Sequence, residues 1–556
     1  MRPSLWVVTL LCGFLSPALV YAQVPPTPLD PAPDAKPATA AAPAPVQPDA
    51  SPRLTQADAE AWLDGFMPYA LARGDVAGAV VTVVKDGKLL AARGYGYADV
   101  AARKPVDPQT TMFRPGSVSK LLTWTAVMQL VEQGKLDLDT DVNTYLDFKV
   151  PSKGEPITLR HVMTHSTGFE ERIKYLMSND AAGPGPLGEY LKSWVPAQIF
   201  KPGTTPAYSN YATSLAGYIV SRVSGLSFDD YIDQHILQPL DMRHASFRQP
   251  LPAALQPFMS QGYALGSGEP KPYEMVLSAQ AGSLAASGAD MAKVMLAHLQ
   301  DAGGPASALL RPETAARMYE RQTVHTPPLN TMALGFYESN INGRRVISHG
   351  GDTQWFHSDL HLFTGEGVGL FISVNSAGKE GVTGPLRSQL FTQFANRYFP
   401  ASDTAPAAAG IDAETAAEHA RLMASQKYES TRRPGSSSFV NLLGFSQTSF
   451  DIHEDGTISS SSLNAANGQP IRWREVAPFV WQDVASDERL AAVVDADGRI
   501  QHWSVGAYAA IMQFEPVPAS RSASWLTPLL LVWLLSLALR ALFWPIAAIV
   551  RRKYGQ

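Results

Sequence analysis

The chain has 556 residues, 45% of them hydrophobic, and a formal net charge of −5. That length exceeds one small domain and supplies ample material for a large core. The charge is mild and scattered, with no basic run of useful length before the C-terminus, which argues against a nucleic-acid surface.

At the N-terminus Arg2 precedes an apolar run from Leu5 to Phe14, and Val20-Tyr21-Ala22 offers a cleavage site before Gln23. Residues 1–22 are therefore expected to be a secretory signal peptide. Cys12, the only cysteine, falls inside it, so the mature chain would have no disulfide, thiol nucleophile or cysteine metal site. Residues 23–52 are dominated by Pro and Ala and read as a linker without core-forming pattern. A helix is expected from Gln56 to Arg73. Two β-rich runs, Ala77 to Val84 and Leu89 to Tyr95, flank Asp86-Gly87 and predict a hairpin.

Next comes Phe113-Arg114-Pro115-Gly116-Ser117-Val118-Ser119-Lys120, where a Pro-Gly loop meets a helical pattern of Leu121, Trp124, Val127, Met128 and Val131. At i and i+3, Ser117 and Lys120 share a helix face. A serine hydroxyl is a weak nucleophile until a neighbour takes its proton, and a desolvated lysine can be that neighbour. By itself a Ser-x-x-Lys is a common accident, so partners are needed. Tyr208-Ser209-Asn210 sets a phenol and an amide two residues apart, on one side of an extended segment. Close to a lysinium the Tyr208 phenol would be favoured as its anion and relay protons, while Asn210 could hold a substrate amide. Beyond Thr331 strands are expected at Met332 to Tyr337, Arg345 to His349, Ser358 to Phe363 and Gly367 to Val374. His349-Gly350-Gly351-Asp352 closes the second of these. Its glycines permit close backbone approach, and a strand-end N–H with that of Ser117 would form an oxyanion hole. Strands at both ends with helices between predict an α+β fold, an antiparallel sheet flanked by helices with an inserted helical region.

The order of these segments resembles the serine β-lactamase-related hydrolases, which include class C β-lactamases, D,D-carboxypeptidases, D-aminopeptidases and some esterases. The resemblance runs from about Ala77 to Tyr398 and also includes Leu159 to Gly168 and Ala281 to Met291. It implies a β-lactamase/penicillin-binding-protein-like fold and an acyl-enzyme on amide or ester bonds. Ser117 would be the nucleophile, Lys120 its base, Tyr208 the partner in proton transfer and His349 a third-motif group. Asn210, Gly350, Gly351 and Asp352 would bind substrate, and the His165 segment would shape a loop near the site. Where β-lactamases of the family carry Lys-Thr-Gly, this chain has His349, a weaker carboxylate partner when neutral. Peptidase, esterase and β-lactam hydrolysis all stay open. So do a D-amino-acid-specific peptidase on peptidoglycan or peptide antibiotics, and a penicillin-binding sensor or silent binding protein.

No cofactor or metal is expected. His161 and His165 are four apart but lack the H-E-x-x-H glutamate, and His357 and His361 read as a solvated pair on a strand face. The hydrolase domain is assigned to 53–400, a linker to 401–412, and a separate small β domain to 413–520, with a helix near Glu414 to Gln426 and no evident catalytic cluster. Trp525 to Val550 is apolar and ends in Arg551-Arg552-Lys553, long enough to span a bilayer with a cytoplasmic C-terminus. Residues 525–550 are read as a transmembrane or membrane-associated anchor, although Arg540 and Pro545 interrupt them. An exported protein at the periplasmic or extracellular face is expected, acting on a small-molecule or peptide substrate.

Overall fold

A computed structural model describes residues 51–174, 176–178, 185–299, 309–401, 411–436, 447–460, 462–465 and 467–555. The expected signal peptide, Cys12 and nearly all of both linkers lie outside these residues. From Ser51 onward the chain forms one compact unit.

The helices that frame the site are α1 (Gln56–Gly74), α2 (Lys120–Glu132), α3 (Asn210–Ser224), α4 (Gly288–His298) and α5 (Thr383–Tyr398). Seven strands form an antiparallel sheet: β1 (Gly78–Lys85), β2 (Lys88–Asp99), β3 (Lys104–Pro105), β4 (Tyr337–Glu338), β5 (Val346–Asp352), β6 (His357–Phe363) and β7 (Val368–Val374). Their order is β4-β5-β6-β7-β1-β2-β3, so the hairpin at the start of the domain is completed by strands far along the chain. Val81 pairs with Ile372 and Val83 with Leu370 across that junction. β1 is buried on both faces, which explains its continuous apolar run. Ala79, Val81 and Val83 meet α1 and α5 through Leu63, Met67, Leu390 and Phe394, while Val80 and Val84 face the larger core beneath α2 and α4.

α2 is not a surface helix with one apolar stripe. Leu122, Thr123, Thr125 and Ala126 are buried as well as the predicted face, so it runs through the middle of the helical region. The predicted Met332–Tyr337 strand contracts to Tyr337–Glu338, because Met332 makes only an isolated bridge and Ala333 to Phe336 turn back on themselves. His357 and His361 are not a solvated pair. His361 is buried and stacks on Phe391 at 3.9 Å, and the His357 Nδ1 sits 2.7 Å from Asp352 Oδ1.

A second antiparallel sheet follows α6 (Ala413–Ala424). Its strands are β8 (Tyr428–Ser430), β9 (Gln447–Thr448), β10 (Asp451–Ile452), β11 (Ile458–Ser459), β12 (Trp473–Ala477), β13 (Val480–Asp483), β14 (Arg489–Val494), β15 (Ile500–Val505) and β16 (Phe514–Pro516). Its core gathers Trp473, Trp481 and Trp503 with Met423 of α6, and Trp503 stacks on Phe514 at 4.2 Å. The chain ends in α7 (Ala523–Tyr554), one helix that continues through Pro528 and Pro545 with its apolar side chains exposed. It is the one helix, among the described residues, long and apolar enough to cross a membrane.

Candidate active site

Ser117 lies in a 3₁₀ turn, Gly116–Ser119, that runs directly into α2. Lys120 is therefore the first residue of the α-helix, one turn below the serine. The end of β5 lies against this turn with backbone touching backbone. A Cβ on Gly351 would fall 2.0 Å from Pro115 O and 2.7 Å from the Ser117 nitrogen. Gly116, at φ +55, presses equally close to the Asp352 nitrogen, 2.7 Å from where its own Cβ would be. Only residues without a side chain fit this contact. Thr353 N–H bonds Phe356 O in the turn between β5 and β6, so by strand alternation Asp352 N–H points away from β6. Its nitrogen lies against Gly116, next to Ser117, whose own N–H stands at the start of the 3₁₀ turn.

Lys120 is fully buried. Its Nζ lies 2.9 Å from Ser117 Oγ, 2.8 Å from Asn210 Oδ1 and 2.8 Å from Ala281 O. Burial pushes the lysine well below its ordinary pKa; the Arg432 charge adds to that and Glu171 opposes it. A neutral amine has two N–H donors and one lone pair. Asn210 Oδ1 and Ala281 O can only accept, so they take the two donors and leave the lone pair for the Ser117 hydroxyl proton.

Tyr208 and Asn210 converge on this amine by a route other than the expected one. The extended segment ends at Ser209, whose side chain accepts from Ala212 N–H and caps α3, so Asn210 is the first helical residue. The Tyr208 ring lies 4.8 Å from Lys120 Nζ, and both Tyr208 and Ser117 line the same cavity. Burial raises the Tyr208 pKa, and the Arg432 charge is among the contributions that oppose it. His165 supports the tyrosine from behind, with its ring 4.1 Å from that of Tyr208 and its carbonyl accepting Ala207 N–H. His161 caps a helix by accepting Thr158 N–H on Nδ1. Among the described residues no group of three potential metal ligands occurs.

His349 is buried beside the pair. Its Nδ1 is 2.6 Å from Gly350 O, which places the ring proton there. Burial, with help from the Lys120 charge, pushes its pKa down to about 3, so the imidazole is neutral. Gly350 N–H donates to the Tyr337 hydroxyl. Burial works against the Asp352 carboxylate, yet hydrogen bonds from His357 and Arg387 hold it below the usual carboxylate range.

These groups open onto a cavity of about 370 Å³ whose wall includes Ser117, Tyr208, Asn210, His349 and Gly350 to Asp352. All eight sequence-predicted site residues thus converge on one site, Lys120 beneath its floor. Sequence reasoning missed the far wall. Arg432 follows β8, while Ala507, Tyr508 and Ile511 lie between β15 and β16, and all four line the cavity. The second sheet is therefore not detached from the catalytic side. Tyr208 N–H donates to Ile511 O at 3.0 Å, Thr431 Oγ1 to Pro206 O at 2.6 Å, and Ala207 bridges to Met512. Arg432 reaches over the Tyr208 ring at 4.7 Å and pairs with Glu171. No local pattern announces such residues, since their role arises only when distant segments meet.

An antiparallel sheet with helices on both faces is the fold this chain shares with the β-lactamases and penicillin-binding-protein homologues. The chain belongs to the beta-lactamase family, whose sequence pattern matches residues 59–391. Among curated relatives, Protein flp of Staphylococcus aureus (strain MW2) is 32% identical over 203 residues, 35% of this chain and 40% of that protein. The matched region thus spans about two fifths of that relative's length. Among solved structures, the octameric penicillin-binding protein homologue from Pyrococcus abyssi aligns with a TM-score of 0.53 at 20% identity, covering 82% of this chain and 100% of that one. SurE aligns with a TM-score of 0.58 at 20% identity over 83% of this chain and 100% of its own. At that identity these two likenesses speak for the fold alone.

The Gly351 contact gives a direct test. Gly351→Ala is expected to push the Ser117 turn away from β5 and cut Ser117 labelling by a fluorophosphonate on the order of 10²-fold. Labelling rate, read beside the melting temperature, checks this; an unchanged rate would show that the close contact does not set the serine's position.

Proposed function

We propose that the chain is an exported serine hydrolase that forms an acyl-enzyme on Ser117 with amide or ester substrates. The observation that carries this reading is the buried Lys120 amine with two partners that can only accept and a serine hydroxyl as the third. Ser117 attacks the carbonyl as its proton passes to Lys120, and the N–H groups of Ser117 and Asp352 receive the oxyanion. The Tyr208 O–H protonates the departing group. The acyl-enzyme then holds a lysinium and a phenolate, a pair that favours itself and that the nearby Arg432 helps on the tyrosine side. In the second half the phenolate takes a proton from the attacking water and Lys120 returns its proton to Ser117 Oγ. The resting site is restored with atoms and charges balanced.

Asn210 and the β5 backbone hold the substrate amide, with His349 as a neutral neighbour. The neutral imidazole, in place of a lysine, disfavours a substrate held by ammonium–carboxylate pairing at the third motif and turns the reading toward peptidase or esterase chemistry. α7 anchors the protein in the cytoplasmic membrane; at 32 residues it is about 48 Å long, beyond the roughly 30 Å of hydrocarbon it must cross.

Full-length protein in detergent and its Ser117→Ala variant, treated with a fluorescent penicillin, a fluorophosphonate, p-nitrophenyl esters and D-amino-acid anilides, test the chemistry. Expected is labelling or turnover that the variant lacks, with the acyl adduct visible by intact mass. Absence of both in the folded wild type would remove the proposal, and labelling without turnover would favour a penicillin-sensing role. The pH profile has a definite sign. Lys120 must be unprotonated to act, so kcat/KM is expected to fall on the acid side, along a limb that lies below the ordinary lysine range. Arg432→Gln removes a like charge, which lets the lysine pKa rise and moves that acid limb to higher pH. A limb that stays put or moves down would argue against Lys120 as the base. For the anchor, carbonate-washed membranes are expected to retain the full chain and to release a chain ending at Arg521; retention of the shortened chain would locate the anchor elsewhere.

A further inference from the structure

We infer that Arg432, delivered by the second sheet, recognises a carboxylate on the substrate held at Ser117. The inference rests on the hydrolase reading and adds to it the charge class of the substrate.

Four charged side chains line the cavity: Asp352, Asp359, Arg387 and Arg432. The first three satisfy one another, because Arg387 binds Asp352 at 2.9 Å and Asp359 at 3.2 Å and also donates to Ser358 O. Arg432 is differently placed. Its Nε donates to Glu171, a carboxylate that is not part of the cavity wall, and its two terminal nitrogens have no hydrogen-bond partner among the described residues. Its side chain is 34% exposed, against 11% for Arg387, so the uncommitted end of the guanidinium remains reachable.

The other candidates for holding an anion are ruled out by their own surroundings. Lys120 is buried and fully engaged with Ser117, Asn210 and Ala281. His349 is neutral and its one ring proton is used by Gly350 O. The cation that the third motif lacks is therefore supplied by the segment that follows β8. A guanidinium with two free parallel N–H groups matches a carboxylate in bidentate fashion and is more weakly hydrated than an ammonium, which suits it to a partly enclosed site. Its position is set from three sides. Glu171 grips Nε, the Tyr208 ring lies 4.7 Å below Cζ, and the backbone of the same segment is tied to the tyrosine motif by Thr431. Arg432 thus stands beside Tyr208, in the cavity that Ser117 also lines.

The carboxylate could belong to the departing residue or to a side chain of the acyl part, and matched substrate pairs separate the two. One pair has thioesters of N-acetyl-D-alanine whose leaving thiol carries a carboxylate or the corresponding carboxamide. The other has aryl esters of N-acetyl-D-glutamate and N-acetyl-D-glutamine. Full-length protein in detergent is compared with Arg432→Gln and Arg432→Lys, each ratio within a pair serving as its own control for folding. Wild type is expected to favour the acid in one pair by on the order of 10²-fold in kcat/KM, mainly through KM. Arg432→Gln should erase that preference, read as the acid-to-neutral ratio on each protein's own pH plateau so that any change in basal rate cancels, and Arg432→Lys should restore part of it. Preference in the first pair assigns the carboxylate to the leaving residue, and in the second to the acyl residue. Ser117-dependent turnover that is indifferent to the charge, or a preference that survives Arg432→Gln, overturns the inference and leaves the hydrolase reading standing. Failure of every substrate and probe to acylate Ser117 defeats the hydrolase reading and this inference with it.

Discussion

An amine buried without a carboxylate partner is the constraint on which this structure turns. Taking an ammonium out of water costs several kcal/mol, so a lysine in this position gives up its proton more readily than it keeps it. What it needs instead is oxygen atoms at fixed positions. The three that surround Lys120 come from the 3₁₀ turn, from the first residue of α3, and from the backbone at Ala281. Holding those three in register requires the whole helical region, and the uninterrupted burial of α2 follows from the same demand.

The sheet answers a second requirement. β5 must bring a backbone N–H beside the serine, and a strand end can approach a helix start so closely only where both carry glycine. Gly116 and Gly351 meet at that point. β5 is held in place by β6, and β6 by β7, which pairs with β1 from the other end of the domain. The position of β5 is thus tied to the central sheet.

The second sheet joins a site it was expected to leave alone. Its aromatic core is its own, but its edge reaches the tyrosine motif through backbone hydrogen bonds and supplies part of the cavity wall. The same junction sets electrostatics as well as shape, because the Arg432 charge acts on both Lys120 and Tyr208. Two halves of the chain with separate cores therefore share one cavity.

Local chemistry was enough to expose the hairpin around Asp86-Gly87, the helix after Ser117, the β5 to β7 strands and the α7 helix, because each is written in a run of neighbouring residues. The Ser-x-x-Lys spacing likewise announces a shared helix face, and the two glycines after His349 announce a close approach. Three features were decided only by tertiary structure. The Tyr208 pKa is raised because of how deeply the phenol is buried; Asn210 reaches Lys120 because a helix capped by Ser209 begins there; and Arg432 enters the cavity because two sheets meet there. Sequence by itself determined which groups were present and how each short segment would fold, since propensity and periodicity act over a few residues. Proton affinity and the remaining wall of the site belonged to the tertiary structure, because desolvation and charge depend on everything within several ångströms, and most of those neighbours come from distant parts of the chain.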